Sequence, residues 1–234
     1  MRRVVEPELL DDLPPTDPQA IRSRGDLRRL NFLMAHVSFL THAFFRQHRA
    51  NPFNTVPLRV IELGAGDGTL LLKLARRWSA LGVTADVTLL DRRNLISPET
   101  RRALAALHWS VEVVESDVFI WLESPSPVVD VMLANLVLHH FEDARLAAML
   151  RLAAAKTNLF LACEPRRAPL ALAAARSLAL VGCNAVTRHD AVVSVRAGFS
   201  GHELSVLWPR SIEWELSEHS AGLFSHCFIA KRNA

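Results

Sequence analysis

From residue 58 onward the chain alternates between two hydrophobic rhythms. Short apolar runs (LRVIEL at 58–63, ADVTLLD at 85–91, SVEVVESD at 110–117, VVDVMLAN at 128–135 and NLFLAC at 158–163) read as strands. Between them lie segments with helical spacing. One follows Asp67 and runs to about Ala80, and another covers Glu142 to Lys156. A third opens at Ser97, a fitting N-cap, with Pro98 in the first helical position. Strands alternating with helices predict a doubly wound, mostly parallel sheet. The rhythm breaks near the end, where SIEWELSEH and LFSHCFIAKR are separated only by Ser220, Ala221 and Gly222. This predicts a β-hairpin whose last strand enters antiparallel to its neighbour.

Upstream of residue 57 the pattern differs. Residues 6–18 hold four prolines and several acids and read as an arm. Leu27, Leu30, Leu33, Met34, Val37, Leu40, Phe44 and Phe45 then recur at helical spacing, with Gly25 as a breaker between two helices. NPFNTVP, 51–57, reads as a linker. The stretch APLALAAARSLALVGCNAV, 168–186, carries Arg176 mid-run and reads as a buried helix of a soluble protein, with no membrane span. The division predicted is therefore an arm and helical cap over 1–56, then an α/β domain over 57–234 with a helical substrate insertion at about 166–198.

Composition narrows the function classes. The 234 residues are 50% hydrophobic with a net charge of +3. Lysine is rare (Lys73, Lys156, Lys231) and no dense basic run occurs, so nucleic acid is not an expected partner. Cys163, Cys183 and Cys227 lack C-x-x-C spacing and sit in apolar runs, which suits free thiols in a reducing compartment. The first residues have no signal-peptide core. A cytoplasmic location is expected.

The chemistry starts at VIELGAGDGTLLLKLA, 60–75. Ligands of open α/β sheets bind at the carboxyl ends of strands, and Gly64–Gly68 lies at such an end. A phosphate loop needs G-x-x-x-x-G-K-[ST], which is absent. The dinucleotide pattern G-x-G-x-x-G fails because Thr69 stands in the third glycine position. Glu62 and Asp67 would repel a pyrophosphate but suit a zwitterionic cofactor with a sulfonium. Asp91, ending the second strand, can accept from both ribose hydroxyls, and Asp117, ending the third, can meet an adenine amino group. Each also reads as packing or as a helix cap.

These segments in order resemble class I S-adenosylmethionine-dependent methyltransferases. VIELGAGDG looks like the family's first motif, LLD its second, ESDVF its third and DVMLANLVLHHFED its fourth, and the resemblance covers roughly 58–232. It implies a Rossmann-like fold and S-adenosyl-L-methionine as cofactor, with S-adenosyl-L-homocysteine as product. It also implies that Glu62, Gly64, Ala65, Gly66 and Asp67 line the methionine end and that Asp91 binds ribose with Arg92 beside adenine. Asp117 and Val118 would meet the adenine edge, and Asn135 and Leu136 would lie near the sulfonium. DLRRLN resembles the helical cap of bacterial small-molecule members.

For an alcohol or phenol acceptor a histidine base is worth about 10²–10⁴-fold. His139 and His140 are the candidates; as a turn, the pair also reads as a loop anchor. Glu164, Asn184, Arg188, His189 and Arg196 are candidate acceptor-side residues, each equally readable as a structural acid, cap or solvated group. Without clustered carboxylates or a His-x-His pattern, no metal is expected. Phe32, Phe39, Phe44 and Phe45 on the cap helices suggest a hydrophobic acceptor. CEPRR, GCNAVTRHDAVVSVRAGF and GLFSHCFIAKR are similar to methyltransferases that accompany bacterial type III polyketide synthases, implying O-methylation of a phenolic acceptor. The alternatives are transfer to carbon or nitrogen of a quinol or amine, an RNA base, a non-catalytic cofactor-binding partner, or an NAD oxidoreductase. A homodimer through the apolar cap helices is a further expectation.

Overall fold

The computed structural model describes residues 1–234 apart from 51, 52, 54, 211 and 234, and apart from the side chains of 31–33. Seven strands form one sheet: β1 (Leu58–Leu63), β2 (Ala85–Asp91), β3 (Ser110–Glu115), β4 (Val129–Asn135), β5 (Thr157–Pro165), β6 (Trp214–Ala221) and β7 (Ser225–Arg232). Their order is β3-β2-β1-β4-β5-β7-β6, parallel except that β7 runs antiparallel to both β5 and β6. The order reverses between β1 and β4, so a cleft opens at their carboxyl ends.

Both faces of the sheet are covered. In β1, Leu58 and Val60 pack on one side, while Ile61 and Leu63 pack on the other. This alternation within a fully apolar strand is what a two-sided parallel sheet requires. The first face holds α3 (His36–Ala50), α4 (Thr69–Ser79) and α5 (Pro98–Ala105), centred on Trp78 and Trp109. The second holds α6 (Val118–Glu123), α7 (Asp143–Lys156) and α10 (Glu203–Leu207), around Phe160, Trp208 and Phe228. The Ser97 hydroxyl accepts from Thr100 N and caps α5 as the sequence predicts.

The aromatic stripe of α3 belongs to this core. Phe44 is fully buried and stacks on Trp78 at 3.9 Å between ring centres, and Phe39 and Phe45 pack against the same cluster. None of these three rings lines the main cleft, and Phe39 borders a separate small cavity; the Phe32 side chain lies outside the described residues. An amphipathic helix announces an apolar face but not what that face meets.

Other boundaries shift. Gly25 does not break the cap: α2 runs Pro18–Leu33, and the chain turns instead at Ala35 with φ +55°. The arm contains a short helix, α1 (Leu9–Asp12). The stretch 168–186 is not one buried helix. It forms α8 (Pro169–Arg176), a 3-10 segment (Ser177–Val181) and the start of α9 (Ala185–Ala197), with Leu180 exposed. Short helices α6 and α10 are invisible to periodicity because each spans under two turns. No helix among the described residues is long and apolar enough to cross a membrane.

The hairpin is anchored by a buried carboxylate. Glu218 on β6 accepts from His226 Nε2 at 2.8 Å and from Leu204 N and Ser205 N, two first-turn amides of α10, at 3.0 and 2.7 Å. Burial alone would raise its pKa; the hydrogen bonds from His226, Ser205 and Leu204 outweigh burial and hold it low. Glu218→Ala leaves those donors unpaired, and removing one partner of a buried pair costs about 3–5 kcal/mol. A lowered folded pKa contributes stability above the unfolded value, lost as pH falls through the folded one. Urea unfolding should accordingly show a wild-type advantage that holds from pH 7 down to about pH 4.5 and narrows below it.

Candidate functional site

The loop after β1 makes the floor of the cleft. Gly64, Gly66 and Gly68 all have positive φ (+67°, +54° and +72°), which a side chain resists. Their reasons differ. A Cβ on Gly64 would meet Val137 Cγ2 at 2.8 Å, and one on Gly68 would meet Ile96 Cδ1 at 2.9 Å, so these two serve packing. A Cβ on Gly66 would meet nothing within 4 Å. Of the three loop glycines, Gly66 is the one that presents an open backbone surface.

The cleft above is about 1150 Å³. It brings together Glu62, Gly64, Ala65, Gly66, Asp67, Asp91, Arg92, Asn135, Leu136 and His140, ten of the residues singled out from sequence. It does not bring in Asp117 or Val118: the Asp117 carboxylate accepts from Phe119 N at 2.8 Å and caps α6. Asn184, Arg188, His189 and Arg196 also lie outside it. Asn184 caps α9 through Thr187 N and accepts nothing from the cleft; His189 pairs with Asp190, and Arg196 lies 4.0 Å from Glu6.

Three acids converge at the strand ends. Asp91 accepts from Gly66 N at 2.8 Å and from Arg93 N at 3.0 Å, fixing the loop. Asp67 accepts from Thr69 N and pairs with Arg28 of α2 at 3.2 Å. Glu62 is 2% exposed and its Oε2 has no partner. Burial, then the charges of Asp67 and Asp91, push its pKa well up. Two more buried cleft atoms, Asn135 Oδ1 and His36 Nδ1, have no close hydrogen-bond partner, although the Asn135 side chain interacts with the His36 ring. Buried polar atoms rarely go without partners. Their convergence on one cavity marks a place built for a polar ligand.

His36 escapes sequence reading altogether. It enters from α3, its Nε2 held 2.8 Å from Ser225 Oγ on β7. Burial pulls its pKa down to about 4, against the pull of Glu164 and Asn135, so the ring is neutral.

The two adjacent histidines have separate environments. Leu136 adopts φ +55°, and the next three amides turn toward Glu164. That fully buried carboxylate accepts from Val137 N and Leu138 N at 3.0 and 2.9 Å and from His139 N at 3.4 Å. It also lies 2.7 Å from His139 Nδ1. Glu164 thus holds the turn and does not line the cleft. His139 is buried, its Nε2 3.2 Å from Glu8 of the arm. Burial would lower its pKa, but the bonds to Glu164 and Glu8 outweigh it and raise it to about 9. A ring already holding its proton is a poor base. His140 faces the cleft, with burial and then the positive His139 lowering its pKa.

The roof is the arm. Arg3 reaches Ala197 O, Phe141 O and Asp143, and lies over the Phe199 ring at 4.7 Å. Leu9 N and Leu10 N donate to the Asp190 carboxylate of α9, and Arg93 donates to Leu13 O and Asp11 O. Glu8, Leu10, Asp11 and Asp12 thereby face the glycine loop across the cleft.

Residues 60–158 match the family model of a methyltransferase domain. Uncharacterized methyltransferases of Mycobacterium tuberculosis and Mycobacterium bovis are 35% identical over 89 residues, 38% of this chain. That match spans 40% of the relatives' own length. Among solved structures, the plantazolicin methyltransferase BpumL in complex with S-adenosylhomocysteine is similar with a TM-score of 0.66 and 16% identity, over 93% of this chain and 92% of that one. Magnesium protoporphyrin IX methyltransferase (ChlM) from Synechocystis PCC 6803, with S-adenosylmethionine bound, is similar at 0.55 and 14%, over 94% and 88%. The fold is the Rossmann-like methyltransferase fold.

Proposed function

We propose that this chain is an S-adenosylmethionine-dependent methyltransferase acting on the hydroxyl oxygen of a small phenolic, polyketide-type acceptor. The observation that carries the reading is the buried, unpartnered Glu62 Oε2 beside Asp67 and Asp91 and the open Gly66 backbone in one cleft, with Asn135 and His36 at its edge. The acceptor atoms among them call for donors, and the acids Glu62, Asp67 and Asp91 favour positive charge. An amino-acid ammonium and a sulfonium meet both demands, and a pyrophosphate meets neither. The residues present therefore fit the cofactor.

When bound, S-adenosylmethionine supplies an electrophilic methyl group on its sulfonium. The chain's own task is alignment, an effect worth up to about 7–11 kcal/mol. Glu62 holds the amino-acid end, Asn135 lies beside the sulfonium, Asp91 accepts from the ribose hydroxyls, and Gly66 lets the ligand lie on bare backbone. Of the paired histidines, His140 is the one that meets an acceptor hydroxyl, because His139 is engaged on both ring nitrogens. Leu10, Leu27, Val37 and Leu136 give the cleft apolar wall for a phenolic ring.

Thermal unfolding with S-adenosylmethionine, S-adenosylhomocysteine and NAD, each in excess, tests the reading. A ligand at about 100 times its Kd stabilises by roughly 2.7 kcal/mol, or about 5–10 °C for a chain of this size. Shifts with the two sulfur nucleosides and none with NAD are expected. A shift with NAD alone, or none with any ligand, would remove the cofactor assignment.

A further inference from the structure

We propose that Glu8, His139 and His140 form a binding site for a first-row divalent transition-metal ion, of the Zn²⁺ type, where the arm meets the cleft. Each of the three offers one ligand atom, and these atoms all lie within 4.8 Å of one another. Glu8 Oε1 and His139 Nε2 are 3.2 Å apart. Tetrahedral bonds of about 2.0–2.1 Å to nitrogen and oxygen set ligand atoms roughly 3.3 Å apart, so this pair already has the spacing.

The orientation of His139 argues the same way. Its Nδ1 is 2.7 Å from Glu164, which accepts only if that nitrogen carries hydrogen. Nε2 then faces Glu8 Oε1, which also accepts from Ser194, across the proton that the ring holds in the free protein, and a metal ion would take that proton's place. A carboxylate behind a ligating imidazole is the usual outer partner of a metal-bound histidine, fixing its tautomer and raising its basicity. Charge also favours a dication: Asp11 lies 3.7 Å from His140 Nδ1, so Glu8, Asp11 and Glu164 surround two rings. Arg92 offsets Asp11 only from 3.5 Å and from an exposed position.

Two imidazoles and one carboxylate select borderline ions over Mg²⁺ and Ca²⁺, which take oxygen ligands. Three protein ligands leave a position open, and Glu8 and His140 both line the cleft. That position therefore faces the space assigned to the acceptor. The site does not depend on methyl transfer. Its use in polarising an acceptor hydroxyl rests on the reading above and makes His140 a ligand.

The test is a titration of the metal-stripped full chain with Co²⁺, read by visible absorption, and with Zn²⁺, read by calorimetry. One equivalent is expected to bind. Glu8→Gln and His140→Ala should each weaken binding at least ~10-fold. Asp12→Asn, a cleft carboxylate outside the ligand set, should leave it unchanged. His140→Ala keeps the Glu8–His139 contact, and a retained thermal shift with S-adenosylhomocysteine would show that it folds. Failure of the wild type to bind one equivalent, or equal losses in Asp12→Asn and Glu8→Gln, would overturn the site. Metal binding without any nucleoside shift would instead remove the methyltransferase reading and leave the site standing.

Discussion

Asp91→Ala is expected to weaken S-adenosylhomocysteine binding by roughly 10²–10⁴-fold while the chain stays folded. A hydrogen bond to a charged group is worth about 1.5–3 kcal/mol. Losing two to the ribose costs about 3–6 kcal/mol, and each 1.4 kcal/mol is tenfold in affinity. Folding survives because the core residues of β2, Val87, Leu89 and Leu90, are untouched. The loss is confined to the amides of Gly66 and Arg93, which Asp91 accepts from in the free protein. Asp91→Asn keeps one acceptor oxygen and should recover part of the affinity. Calorimetric titration of the three proteins decides it. Unchanged affinity in the alanine variant would restrict Asp91 to supporting the loop.

Glu62→Gln should move stability and binding in opposite directions. Glu62 sits buried with an unpaired oxygen beside two further acids, and its folded pKa is raised. Between the unfolded value near 4.5 and that raised value, the folded chain holds a proton that the unfolded chain has released. Wild-type stability from this group therefore falls as pH rises through that window. An amide has no such penalty, so the variant should melt higher than wild type at pH 7.5 and about equally at pH 4. Its affinity for the cofactor should drop about 10–150-fold, the loss of one charge-assisted hydrogen bond of about 1.5–3 kcal/mol. Melting curves across pH, with and without S-adenosylhomocysteine, read both signs at once. A lower melting temperature for the variant at pH 7.5 would mean that Glu62 is paired and the acid cluster is not waiting for a cation.

Local chemistry explains what could be read in advance. The strands, the glycine turn and the Ser97 cap declare themselves within a few residues, and the parallel order follows from alternation. The floor of the cleft was legible for the same reason, since Glu62, Gly66, Asp91 and Asn135 all end strands or the turns that follow them. The roof was not. Glu8 reaches His139 across 131 positions, and nothing near Glu8 announces that meeting. His36 is equally hidden: its role depends on Ser225, 189 positions away. Phe44 misleads for a different reason, because burial against Trp78 and exposure to an acceptor leave the same stripe on a helix. Gly25 sits inside α2 because one glycine costs a helix only about 1 kcal/mol, which packing offsets.

The position of β7 has a consequence for synthesis. Strand β5 is buried nearly end to end, yet one of its two edges waits for a partner that begins about 60 residues later. Its other neighbour, β4, is already in place. At about 5–20 residues per second, translation leaves that apolar edge open for roughly 3–12 s. During that interval the nascent chain carries a complete glycine turn and an unfinished sheet, which is a surface for chaperones to hold. The strand that ends the wait, β7, also brings Ser225, the partner of His36. Closing the edge and fixing one wall of the cleft are thus a single event in the making of the molecule.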